Sequence, residues 1–387
     1  SKYDIDETIP LYKNQLGMFV TAYSKDYLEP LGLLKMDFLG ISNLTMLDEV
    51  INNIRENEKL NITFANIPLE DKKTISLFTK GDTDGVFQFE SPGMIKFLKK
   101  LKATTFKDIY SAIALYRPGP MESIDDYIKR KEGKVKIDYI HQDLEPILKE
   151  TYGIIIYQEQ IIQIACTIAG YTLGEADILR RAMSKKKEEV LIKEKEKFVE
   201  KSLARGYNLE IINKIYDIIL RFANYGFNKS HAVSYAIISY KIAFLKAHFY
   251  PYFMVSILSN SINNENKTNI YIAKLRQKNI KVLSPDINIS ENNYIMNNED
   301  IVCPLSIIRN VGSNITNAIL KEREKGKFLD FIDFTKRMYN KSVNRKVLES
   351  LILANSFKSF GYNKKTLMNN IDNILNYVEL SSDAGLI

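Results

Sequence analysis

The hydrophobic pattern changes period along this chain. Residues 1–42 read as extended structure. Within them Gly32-Leu-Leu-Lys-Met-Asp-Phe-Leu-Gly40 is an apolar run with two isolated charges between glycines, the pattern of a buried strand. From Ser42, a candidate N-cap, the spacing turns helical, with Leu44, Leu47, Val50, Ile51 and Ile54 on one face. After a polar stretch, Gly81-Asp-Thr-Asp-Gly-Val-Phe-Gln-Phe-Glu90 predicts a turn leading into a short strand. Tyr116-Arg-Pro-Gly-Pro120 predicts a rigid loop, because two prolines and a glycine do not continue a helix.

The region 152–250 carries the densest pattern. It predicts a helix over Gln158–Ala169 stopped at Gly170, and a second one opened by the capping box Thr172-Leu-Gly-Glu175 and running through Met183. A Lys/Glu-rich helix follows over about Glu188–Arg205, with Gly206 to end it and a solvated face as its simplest role. A fourth starts near Asn228–Ser230 and reaches His248, before Pro251. Ser261–Thr268 is polar and reads as a linker; Ile280–Val302 suggests short strands and turns, and Cys303–Asn370 several short helices. The sum is a predominantly α-helical α+β chain in several domains, with no repeat of 20–50 residues.

Composition narrows the function classes. The 387 residues suggest about two to four domains. Cys166 and Cys303 stand far apart and build neither a disulfide framework nor a zinc knuckle, so a reduced, cytoplasmic setting is expected. Lys246 and His248 interrupt the longest apolar window before it reaches the roughly 18 residues of a membrane span, so no membrane partner is expected. The N-terminal Ser-Lys-Tyr-Asp has neither an initiator Met nor a signal-peptide pattern. A net charge of +7 merely permits an anionic partner, but residues 176–187 alone carry net +4.

That cluster is Arg180-Arg-Ala-Met-Ser-Lys-Lys-Lys187. On a helix, Arg180 and Ser184 share a face, as do Arg181 and Lys185. Guanidinium forks hold phosphate oxygens in pairs, and Lys adds a flexible point charge. A solvated helix end, with Asp177 pairing to Arg181, explains the same residues. In Tyr225-Gly-Phe-Asn-Lys-Ser-His231, Asn228 or Ser230 can cap a helix whose free N–H groups attract anions, with Lys229 and His231 beside it. Tyr225 and Phe227 offer rings to a base or sugar; an ordinary capped helix with core aromatics is the alternative. Asp37 is a lone carboxylate on an apolar run, about 7 Å along the strand from Lys35. It reads either as one half of an ion pair or as a metal ligand beside a phosphate-binding lysine. Asp4-Ile-Asp6 is rejected as the rest of a metal site, since no strand run follows it. No phosphate-cradling Gly-x4-Gly-Lys-Ser/Thr loop occurs, and His141 and His248 read as surface or packing residues.

Five segments together resemble one family: GLLKMDFLG (32–40), GDTDGVFQFESPGM (81–94), LYRPGPM (115–121), YQEQIIQIACTIAGYTLGEADILRRAMSKK (157–186) and FNKSHAVSYAIISYKIAFLKAHF (227–249). They are similar, in order and spacing, to the alpha subunits of bacterial DNA polymerase III, the C-family replicative polymerases. The resemblance implies a carboxy-terminal piece of the palm at 1–42, fingers at 43–265 and a helix-hairpin-helix DNA-binding region at 266–387. The chain would then be an internal segment, inactive alone, since the other two palm carboxylates would precede it. Asp37 would match the third carboxylate holding two Mg2+ ions, and Lys35 a palm lysine on the triphosphate. Arg180 and Arg181, with Lys185, would grip the incoming dNTP. Tyr225, Phe227, Asn228, Lys229, Ser230 and His231 would surround its base and sugar, His231 excluding a 2′-hydroxyl. In Pro304–Gly312, the turn Arg309-Asn310-Val311-Gly312 would bind DNA phosphates, with Asn310 replacing the usual first glycine and tolerating a left-handed backbone.

Departures from the family pattern are Pro92, where a basic residue is usual, and Ile41-Ser42 in place of Leu-Arg or Leu-Lys. The implied reaction is two-metal transfer of dNMP to a primer 3′-hydroxyl. The implied partners are primer-template DNA, dNTP and, through the full-length protein, a sliding clamp and other replisome subunits. No clamp-binding peptide is evident near the carboxy end. The alternative class is a non-catalytic DNA-binding module.

Overall fold

The computed structural model describes residues 4–36, 40–184, 188–223, 226–339 and 341–383. The chain divides into two compact units, residues 1–45 and 46–387.

In the first unit a single-turn helix α1 (Ile5–Thr8) precedes an antiparallel hairpin of β1 (Leu11–Lys13) and β2 (Phe19–Thr21), registered Leu11 to Thr21 and Lys13 to Phe19. Asn14 shapes its turn by accepting from the Leu16 and Met18 N–H groups at 3.0 Å. The buried strand expected at 32–40 is not formed over the described residues 33–36, where Leu34 is 73% and Met36 66% exposed. An apolar strand needs a ladder on its edges. The two described strands of this unit pair only with each other. Asp37 lies outside the described residues.

The helical part opens with α2 (Ser42–Glu58), which buries Met46, Leu47, Val50, Ile51 and Ile54. Ser42 is its first helical residue rather than its cap, and Leu44 is exposed. Asp71 caps α3 (Lys72–Lys80) by accepting from the Thr74 N–H at 2.7 Å. Residues 81–90 form successive turns instead of a turn and strand. Hydrogen bonds from the Val86 N–H to Thr83 and from the Phe89 N–H to Val86 place those two side chains, three apart, in the same core. Ser91 caps α4 (Pro92–Leu101), and Pro92 sits at the helix start, where its missing N–H costs nothing. A Thr105–Asp108 capping box opens α5 (Phe106–Leu115), which ends at the Tyr116–Pro120 loop as expected; α6 (Ile124–Lys131) and the short α7 (Glu145–Leu148) follow.

Next come α8 (Gln158–Ala169), α9 (Leu173–Ser184), α10 (Glu188–Ala204), α11 (Leu209–Ala223) and α12 (Lys229–His248). Gly170, at φ 65°, ends α8 in the left-handed conformation that favours glycine. The predicted box at Thr172 is made, with its N–H donating to Glu175 Oε2 at 2.9 Å. The helix α11, absent from the sequence expectations, buries Ile212, Ile215, Tyr216 and Ile219 against α8, α9 and α10 in a second core. On α10, Phe198 is fully buried there, so this helix is docked rather than simply solvated.

A first core gathers α2 to α6 around α12 and α13 (Tyr250–Ser259), which meet at 119°. At its centre Tyr240 packs against Phe78 and Phe106, with ring centroids 6.2 and 5.6 Å apart. Asn264 caps α14 (Glu265–Gln277), so the expected linker contains a helix start; Tyr271 and Leu275 of α14 extend the same core. No single described helix is long and apolar enough to cross a membrane.

Beyond α14, β3 (Val282–Leu283) runs parallel to β5 (Asp300–Val302), and β4 (Ile295–Asn297) antiparallel to it. Then α15 (Ser313–Arg323), α16 (Phe331–Met338), α17 (Arg345–Leu353) and α18 (Lys364–Asp383) enclose a third core, in which Phe357 touches the rings of Phe331 and Phe334.

Candidate functional site

Arg180 on α9 and Phe227, just before α12, meet at Gln158, the start of α8. Residue Asp177, one turn before the arginine pair, holds both. Its Oδ1 accepts from Arg180 Nε at 2.9 Å and Nη2 at 2.8 Å, and Oδ2 lies 2.7 Å from Arg181 Nε. The Arg180 hydrogen bonds, more than its charge, hold the Asp177 carboxyl below the usual carboxylate range. Nη1 of Arg180 also donates to Gln158 Oε1 at 3.3 Å. Arg180 is the less exposed of the pair, its side chain 24% accessible against 68% for Arg181. Lys185 and Tyr225 lie outside the described residues.

Backbone pairing brings the second motif to the same place. Gln158 N–H donates to the Phe227 carbonyl at 3.0 Å, and the Phe227 N–H donates to the Ile156 carbonyl at 3.1 Å. Asn228 caps α12 by accepting from the His231 N–H at 2.8 Å. The Ser230 carbonyl accepts from the Ser234 hydroxyl. The anion at this helix start is the protein's own, since the Lys229 N–H donates to both oxygens of Glu159 at 2.9 and 3.0 Å. Lys229 Nζ is bound by Glu150 Oε2 at 2.7 Å, and Tyr110 donates to the other oxygen at 2.9 Å. Burial pushes the Glu150 carboxyl up, but the bonds from Lys229 and Tyr110 outweigh it and leave the group lowered.

A ladder of rings runs over the surface of this turn. The Arg117 guanidinium lies 4.1 Å from the Phe227 ring centre. Phe227 meets exposed His231 edge-on at 5.3 Å, and His231 stacks on Tyr235 at 4.1 Å. Tyr235 in turn reaches Phe87 at 5.3 Å. Chemically, the surface offers guanidinium donors at one side and π faces at the other, the combination that holds a phosphorylated base. Sequence reasoning missed Arg117, Glu150, Gln158, Glu159 and Tyr235. Arg117 stands in a loop read for its rigidity and its family resemblance but not for its charge, and the others act through partners distant in sequence.

Lys35 is exposed in the first unit. Among the described residues no group of three or more His, Cys, Asp or Glu is placed to hold a metal ion, so those residues do not build a magnesium site. In the carboxy-terminal region Asn310 adopts φ 67°, keeping the left-handed turn, and its Nδ2 donates to Ser350 Oγ at 2.9 Å. Arg309, Asn310 and Gly312 are exposed, whereas Val311 is buried and its N–H is taken by the Ile308 carbonyl at 2.9 Å. A groove of about 630 Å³ beside this turn is lined by Arg309, Asn310, Lys346, Glu349 and Ser350, among others.

Comparison with known proteins covers both regions. Residues 43–206 match the bacterial DNA polymerase III alpha subunit finger domain, and residues 279–367 match a helix-hairpin-helix motif. The chain is 45% identical over 380 residues to the DNA polymerase III subunit alpha of Bacillus subtilis (strain 168), which covers 98% of this chain and 34% of that protein. It is equally similar to the same subunit of Staphylococcus aureus (strain MRSA252), at 45% over 370 residues, 95% of this chain and 35% of the relative. The chain therefore spans about a third of the curated relatives it matches.

Proposed function

Because this chain belongs to the bacterial DNA polymerase III alpha-subunit family, we propose that it supplies the nucleotide-gripping fingers of a template-directed DNA polymerase. The observation that carries this reading is the meeting of Arg180 with the ring ladder at Phe227 and His231, through Gln158. Arg180 and Arg181, with Lys185, neutralise the triphosphate; Tyr225, Phe227 and His231 face its base and sugar. Asn228 and Ser230 shape the helix start, and Lys229, tied to Glu150, fixes it.

The reaction assigned to the whole protein is attack of a primer 3′-hydroxyl on the α-phosphorus of a dNTP. A new phosphodiester bond forms, the bond between the α- and β-phosphates breaks, and pyrophosphate carries away the electron pair. The arginines position the triphosphate and offset the charge developing on the leaving group. Lys35 we assign to the triphosphate and Asp37 to a divalent cation of the whole protein. No step is assigned to that cation, since the described residues do not build its site.

For the domains we propose palm at 1–42, fingers at 43–265 and a DNA-binding region at 266–387. The finger match over 43–206 and the hairpin match over 279–367 support the last two. The first core nevertheless continues across residue 265 into Tyr271 and Leu275. Primer-template DNA, a sliding clamp and other replisome subunits, in the cytoplasm, are the partners and setting we propose for the full-length protein.

The decisive measurement is single-nucleotide incorporation by the full-length protein. Arg180→Ala is expected to raise the dNTP KM about 10- to 100-fold, the loss of a charge-assisted phosphate contact, with DNA affinity nearly unchanged. Equal losses for DNA and dNTP would assign Arg180 to the DNA backbone instead. The second reading, a DNA-binding module without its own catalysis, is favoured for the chain alone by the retained Asn310 turn. Primer extension by the purified 387-residue chain would overturn it.

A further inference from the structure

Gln158 opens α8 and was given no role of its own within the segment 157–186, yet it touches both halves of the candidate site. Its side-chain Oε1 accepts from Arg180 Nη1 at 3.3 Å, and its backbone N–H donates to the Phe227 carbonyl at 3.0 Å. The neighbouring backbone closes tightly on it. A Cβ built on Gly226 would lie 3.3 Å from Gln158 Cγ and 3.4 Å from the Phe222 carbonyl oxygen. Arg180 is thus spanned between two elements, its Nε and Nη2 on Asp177 of its own helix and its Nη1 on Gln158 of α8.

We propose that Gln158 is a positioning residue that sets the Arg180 guanidinium at a fixed distance from the Phe227–His231 rings. The inference rests on the reading of Arg180 as a triphosphate contact. A nucleotide held in one reactive conformation has a set distance from its phosphates to its base, so a site that grips both ends gains from a rigid spacer between them. An arginine has many rotamers, and fixing it before the ligand arrives removes an ordering cost from binding. Asp177 fixes Arg180 only relative to α9 itself. Gln158 fixes it relative to the segment bearing the rings, because one residue makes both contacts. A neutral amide is well suited to this position, because it accepts from the guanidinium without adding a second carboxylate to compete with phosphate.

The test is a double-mutant cycle in the full-length polymerase, read by steady-state single-nucleotide incorporation. Gln158→Met keeps side-chain length and the backbone N–H and removes the acceptor. It is expected to raise the dNTP KM about 5- to 10-fold with kcat within about twofold. Gln158→Met combined with Arg180→Ala should match Arg180→Ala alone within about twofold, because the amide then has nothing to position. An unchanged KM in Gln158→Met, or effects that multiply in the double variant, overturns the proposal. An Arg180→Ala variant with unchanged KM would instead remove the triphosphate reading itself, so the two failures are distinct. If Gln158→Met does not fold, Gly226→Ala reads the same contact by pressing its Cβ on Gln158. Its KM increase should vanish in the Arg180→Ala background, and persistence there overturns the proposal.

Discussion

The helix α12 carries the same pair, a lysine and a histidine two residues apart, at both of its ends, and the two pairs have opposite fates. At the carboxy end Lys246 is 5% exposed and donates to the Asp82 carbonyl at 2.9 Å, Asp82 Oδ1 at 2.7 Å and the Asp84 carbonyl at 3.1 Å. His248 there lies 2.9 Å from Asp71, the carboxylate that caps α3. At the amino end Lys229 is 35% exposed on Glu150, and His231 is exposed, its ring against those of Phe227 and Tyr235. Residue type is therefore a poor guide to role. What separates the ends is that one closes a core, where every donor must be matched, while the other keeps a polar, π-rich surface open.

Removing the two ammonium groups gives the widest expected separation. Lys246→Met removes a buried ammonium and leaves the half-exposed Asp82 carboxylate and two carbonyls without that donor, and is expected to cost about 2 kcal/mol. Lys229→Met breaks a half-exposed pair and is expected to cost about 1 kcal/mol. Urea unfolding of the chain, followed by circular dichroism, measures both. Equal losses would show that burial does not distinguish the two ends.

Acid sharpens the same contrast. Burial pushes the Asp71 carboxyl up, but the Thr74 hydroxyl and N–H and the nearby His248 outweigh it, so its value falls below the ordinary 3.8. Asp82 behaves likewise, with Lys246 overcoming burial. A carboxylate depressed in the folded state contributes stability that is complete above its unfolded pKa, near 4, and is lost as pH falls through the folded value. Asp71→Ala is accordingly expected to cost about 1 kcal/mol at pH 7, from the lost cap and the lost histidine contact, and progressively less below about pH 4. A loss that is the same at pH 7 and pH 3 would assign the effect to side-chain size instead of charge.

How much of this was readable beforehand follows the range of each interaction. Helices with their own punctuation, such as α8 with Gly170 or α12 with Asn228, were legible because caps are local. The apolar run misled over its described residues 33–36 because a strand is a statement about neighbours as well as residues. Residues 81–90 misled because apolar positions fit turns as well as strands. In the site, the arginine pair and the ring-bearing turn were legible as residue types. Their meeting was not: Lys229 finds Glu159 at a separation of 70 residues and Glu150 at 79. Nothing in either local pattern names the other. The Lys246 environment was illegible for the same reason, and in the sequence that residue counted only as an interruption of an apolar window.

The smallest expected effect on stability falls on the residue with the clearest expected effect on selectivity. His231 is exposed, and its ring contacts are Tyr235 at 4.1 Å and Phe227 at 5.3 Å. Its loss removes stacking but leaves the Asn228 cap, which takes the backbone N–H and not the ring. His231→Ala is therefore expected to shift stability by less than about 0.5 kcal/mol, the range of a surface substitution. If the imidazole instead crowds the 2′ position of a bound sugar, the same variant should incorporate ribonucleotides relatively better while keeping its dNTP rate. Single-nucleotide assays with matched dNTP and rNTP decide the matter. An unchanged preference would leave His231 as a ring in the ladder and nothing more. A changed preference without loss of stability would show that the open end of α12 is kept open for the ligand, as its buried end is closed for the fold.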